Sequence, residues 1–133
     1  MTTAKELPSL DQWLREAKAD PSAPECGMYL FHNGVVRKTA KTQVREGAET
    51  PPVTGMEFSY DPAGVAAAVE ETRAMPGIGY VRVWLNEGRL QVGDSIMLVL
   101  VGGDIRPRVL DALQALVGRI KQTCVTEQEI YYA

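Results

Sequence analysis

A chain of 133 residues can bury roughly two thirds of its unfolded surface, and residues 1–133 read as one domain. A formal charge of −3 offers no general basic surface, which argues against a nucleic-acid partner. The longest apolar run, residues 96–101, is far below the ~20 residues of a membrane span, and Met1 to Glu6 reads as no apolar leader, so no membrane partner and a cytoplasmic location are expected.

Ser9 is the expected N-cap of a first helix, with Gln12 three residues on. Leu10, Trp13, Leu14 and Ala17 give it one apolar face, and Asp20-Pro21 ends it before a short linker. Residues 27–37 read as a strand in which Met28, Leu30 and His32 alternate with Tyr29, Phe31 and Asn33, so both faces need cover. Gly34 interrupts it as a bulge or close approach. Residues 38–52 have no hydrophobic period and read as a solvated mobile loop, either a functional flap or a disordered hairpin tip. Residues 53–60 alternate again and are expected to pair with the strand before that loop.

Asp61-Pro62 opens a second helix over 63–75, closed by Pro76-Gly77. A strand over 80–85, a turn at Asn86-Glu87-Gly88-Arg89 and an apolar strand over 95–101 follow, and Gly102-Gly103-Asp104 is expected to lift the chain off the sheet. Arg106-Pro107 opens a third helix ending near Lys121, with an apolar stripe of Val109, Leu110, Leu113, Leu116, Val117 and Ile120. Arg119 and Lys121 suit the dipole at its C-terminus. A last strand spans 125–132. The order α, β, β, α, β, β, α, β predicts an α+β fold, helices on a mostly antiparallel sheet. Cys26 and Cys124 lack metal-ligand spacing and read as reduced core thiols, so neither a metal nor a cofactor is expected.

The chain resembles the large, catalytic subunit of molybdopterin synthase. The run from Gly27 through Gly34-Val35-Val36-Arg37 is similar to that family's opening strand with its Gly-x-Val-Arg end. Gly88-Arg89-Leu90-Gln91-Val92-Gly93-Asp94 resembles its Gly-x-Leu-x-x-Gly-Glu/Asp turn. Arg106 falls on the Arg of a His-Arg pair, and Lys121 on the first of two active-site lysines. The resemblance implies a hammerhead-like α+β fold and a homodimer whose pockets draw on both subunits. It also implies a small ubiquitin-like carrier ending in a Gly-Gly thiocarboxylate, and cyclic pyranopterin monophosphate as substrate. Arg37 and Arg106 would bind that substrate, and Lys121 would be catalytic. The physical logic is consistent: phosphate and a carboxylate-like tail both need cations, and arginine offers a bidentate fork.

The sequence also departs from the family. Leu85-Asn86-Glu87-Gly88 stands for its His-Arg-x-Gly, Ile105 for the His of the His-Arg pair, and His32 for an aromatic residue. Val125-Thr126-Glu127-Gln128-Glu129 replaces apolar-Trp-Lys-Lys/Arg-Glu, so the second lysine is lost. Three readings follow: a sulfur-transferring synthase subunit, a non-catalytic homologue that keeps fold and dimer as a binding or regulatory module, and an unrelated α+β domain. Taken singly, Arg37, Arg106 and Lys121 read as surface charges at element ends; jointly, at the family's spacing, they point to a retained anion pocket. The sequence assigns no role to His32 or Glu87.

Overall fold

The Ser9 hydroxyl accepts the Gln12 N–H at 3.2 Å and opens α1 (Leu10–Lys18), which turns Trp13 and Ala17 inward. The Asp61 carboxylate does the same for the Ala63 N–H at 3.2 Å, with Pro62 as the first residue of α2 (Pro62–Arg73). Pro107 sits in the first turn of α3 (Arg106–Arg119), which runs on into a single π turn, Ile120–Cys124. The computed structural model that gives these elements describes residues 4–38, 47 and 52–131. The loop expected over 38–52 therefore lies mostly outside the described residues, as does Tyr132.

Six strands complete the fold: β1 (Met28–Val35), β2 (Val53–Tyr60), β3 (Ile78–Leu85), β4 (Gly88–Gln91), β5 (Ser95–Gly103) and β6 (Val125–Tyr131). They form two three-stranded sheets, β1-β5-β3 and β4-β2-β6, with every neighbouring pair antiparallel. This is the α+β class expected from the sequence, with four differences in detail. β2 does not pair with β1 but joins β4 and β6 in the other sheet. The expected turn at 86–89 is a change of sheet: Leu85 ends β3 and Gly88 begins β4. Buried Leu90 explains that short strand, since its side chain pairs opposite buried Met56. Gly102 and Gly103 remain paired in β5, because Tyr29 and Gly77 approach too closely for any side chain there. The chain leaves the sheet only after them. Leu110 is 41% exposed, because it lies at the border of the stripe formed by buried Val109, Ala112 and Leu116.

β5 is the middle strand, covered on both faces as its apolar run requires. Leu98 and Leu100 pack under α1 against Trp13 and Ala17, flanked by Tyr29, Phe31, Tyr80 and Trp84. Met97, Val99 and Val101 point the other way, towards α3 and towards Met56 and Phe58 of the second sheet. Each fully buried aliphatic side chain contributes about 1.5–3 kcal/mol relative to exposure. The register of β1 shifts between Gly34 and Val35, the irregularity expected at Gly34. That shift turns Val36 into the core and leaves Arg37 exposed at the corner where α3 ends. Among the described residues no helix is long and apolar enough to cross a membrane.

Candidate functional site

Side-chain alternation along β1 decides what faces α3. His32 pairs with Val99 and Gly34 with Met97, so His32 stands on the face that α3 covers. The C-terminal half of α3 crosses this end of the strand and does not seal it. A cleft of about 720 Å³ opens between them, lined by His32, Gly34, Arg37, Gln114, Val117 and Lys121. Lys121 reaches it because the helix widens there into the π turn, a distortion frequent at functional sites.

The second sheet closes the other side. Glu127 and Glu129 of β6 pair with Phe58 and Met56, whose side chains are buried, so both carboxylates share the inward face. With Arg37, Lys121, Val53 and Met56 they line a cavity of about 50 Å³ that adjoins the cleft. The Lys121 ammonium donates to the Glu127 carboxylate, with the lysine side chain 27% and the glutamate 8% exposed. Such a charge-assisted contact in a half-dry place stabilises both ionised forms.

Burial, and then the positive charge of Lys121, hold the His32 imidazole below its ordinary pKa of 6.5, so it is neutral at pH 7. A consequence for ligand binding follows. Lowering the pH through the region below 6.5 adds a positive charge to a cleft that already holds Arg37 and Lys121. Sulfate, a dianion throughout, is expected to bind more tightly as pH falls from about 7.5 to about 5. His32→Phe should therefore flatten the upper part of the profile. Titrations of both proteins by calorimetry would read it, and an unchanged slope in His32→Phe would refute the assignment.

Two of the three residues singled out from sequence thus meet in one cleft, Arg37 and Lys121. The third does not join them within this chain. Arg106 is exposed at the first residue of α3, about 20 Å along the helix from Lys121 at 1.5 Å per residue. Ile105 before it is 52% exposed. Sequence reasoning missed the role of Glu127 and Glu129, which only the pairing of β6 with β2 turns inward. The free cysteines lie elsewhere, Cys26 just before β1 and Cys124 buried at the end of the π turn. Among the described residues, no group of three or more His, Cys, Asp or Glu side chains could hold a metal ion.

Residues 5–123 match the family model of the MoaE protein. The chain belongs to the MoaE family. That family is the large subunit of molybdopterin synthase, and membership ties the chain to molybdenum cofactor biosynthesis. The reading as an unrelated α+β domain falls with this match. Solved structures of this fold agree at low identity. A molybdopterin synthase from Staphylococcus aureus is 19% identical, covers 94% of this chain and 86% of its own, and superposes with a TM-score of 0.73. A molybdopterin biosynthesis MoaE protein from Burkholderia ambifaria is 18% identical over 95% of this chain and 84% of its own, with a TM-score of 0.69. The complex of subunits 1 and 2 of the molybdopterin-converting factor from Helicobacter pylori is 16% identical over 93% and 84%, with a TM-score of 0.64. No curated protein sequence matches this chain significantly.

Proposed function

We propose that this MoaE chain is the large subunit of a molybdopterin synthase and transfers sulfur from a thiocarboxylated carrier protein to cyclic pyranopterin monophosphate. One observation carries the reading: Arg37 and Lys121, placed by resemblance at the family's site positions and brought from different elements, line one cleft. The Arg37 guanidinium suits the substrate phosphate. The Lys121 ammonium suits the carrier's terminal thiocarboxylate, and it can donate a proton to a leaving group. Pairing with Glu127 favours that charged role over a neutral, nucleophilic lysine. Arg106 contributes from the second subunit of a homodimer, which is how an arginine at the far end of α3 can act in this reaction. Val35 and Leu110, 45% and 41% exposed, are apolar residues available near the cleft and along α3 for partner surfaces. The carrier is the counterpart of the small subunit in the Helicobacter pylori complex.

A second reading is a non-catalytic homologue that keeps fold and dimer as a binding module. Leu85 and Ile105, apolar where the family has histidines, favour it. Mixing the protein with a thiocarboxylated carrier and the pterin precursor decides between the two. Dithiolene product is expected, with a dimer by light scattering at micromolar concentration. Carrier binding without product would establish the non-catalytic reading.

A further inference from the structure

The Lys121–Glu127 pair gives the cleft a property that a simple anion site lacks. Among the described residues its charges are two cations, Arg37 and Lys121, and two carboxylates, Glu127 and Glu129, with His32 on the wall of the larger opening. Glu127 is the more deeply placed member of the pair, at 8% exposure. An oxyanion that draws the Lys121 ammonium away weakens its hold on a nearly buried carboxylate, a costly change in a place with little water. Sulfate, fully ionised, brings only further acceptors, so it cannot replace the donor that Lys121 supplied to Glu127. A ligand whose anionic end is flanked by N–H donors meets both needs at once. Its anion takes Lys121, and its N–H takes over at Glu127. The C-terminus of a peptide has this pattern, a terminal carboxylate or thiocarboxylate one carbon away from a backbone amide N–H.

We propose that Glu127 is a specificity-determining residue that sets the Lys121 end of the cleft for a peptide C-terminus and against fully ionised free oxyanions such as sulfate. This rests on the reading of the cleft as the anion site. It differs from a purely electrostatic effect of one more negative charge, which would weaken every anion alike.

Calorimetry on the full chain with two probes tests it: inorganic sulfate, and an N-acetylated hexapeptide ending in Gly-Gly with a free carboxylate. Glu127→Gln is expected to tighten sulfate at least about threefold and to weaken the peptide at least about fivefold, since a carboxylate accepts a stronger hydrogen bond than an amide. Glu127→Asp, which keeps the charge, should retain the preference for the peptide and serves as the readout if Glu127→Gln does not fold. Movement of both ligands in one direction, or of neither, would overturn the proposal while leaving the cleft reading in place. Lys121→Ala separates the two: it should lose both ligands, and wild-type binding of both would sink the cleft reading and this proposal together.

Discussion

Lys121→Ala is expected to abolish sulfur transfer, with product formation falling at least about 10²-fold, as for loss of a group that stabilises charge or moves a proton in a closed site. The same substitution should cost stability, because it removes the ammonium that Glu127 holds at 8% exposure. Breaking a wholly buried ion pair costs about 3–5 kcal/mol; with Lys121 itself 27% exposed, about 1–3 kcal/mol is expected here. Adding Glu127→Gln removes the carboxylate that had faced the ammonium. The double variant should therefore recover most of the stability and none of the turnover. Denaturant unfolding and product assays on the four proteins of this cycle read the two effects separately. Recovery of turnover in the double variant would mean that Lys121 serves the fold and not the chemistry.

Much of this architecture was legible in the sequence because local chemistry specifies it. Ser9 and Asp61 cap the helices they precede, Gly34 marks the break in β1, and the unbroken apolar run of β5 signals a strand covered on both faces. Pairing between distant strands was not legible. Residues 53–60 alternate whichever sheet they join, and no local signal says that the partners are β4 and β6 and not β1. The error at Asn86-Glu87-Gly88-Arg89 has the same origin: a Gly-containing stretch between two strands suits a hairpin turn and a sheet crossing equally. The candidate site follows this division. Arg37 and Lys121 were carried over by resemblance, and each lies just past an element readable by itself, β1 and α3, which fixed its place in the chain. Glu127 could not, since a glutamate in a strand of alternating polarity looks solvated until the register places it opposite Phe58. Arg106, carried over by resemblance in the same way, is left by one chain alone about 20 Å from the cleft.

The sheet crossing holds the residue with the largest expected structural effect. Asn86 is 2% exposed where the chain leaves β3 for β4, and its amide is fully used. Nδ2 donates to the Ser95 carbonyl at 2.9 Å and to the Lys5 carbonyl at 3.3 Å; Oδ1 accepts from the Lys5 N–H at 2.6 Å and the Glu87 N–H at 2.9 Å. One side chain thus ties the N-terminal segment, the crossing and the start of β5 together. Asn86→Ala strands these backbone groups in a place with little water, and a loss of about 2–4 kcal/mol is expected. Asn86→Asp keeps the acceptor but loses both donors and adds a buried charge, so it should do no better. The damage should reach the cleft by a short route. Ser95 opens β5, Ile96 lines the cleft, and Val36 beside Arg37 is held to this corner by its N–H to the Asp94 carbonyl at 2.9 Å and by the Gly93 N–H to its own carbonyl at 2.8 Å. Asn86→Ala should therefore speed amide exchange at Lys5, Ile96 and Val36 together, and weaken sulfate binding although it touches no ligand. Exchange that quickens at Lys5 alone, with sulfate binding unchanged, would confine Asn86 to anchoring the N-terminal segment.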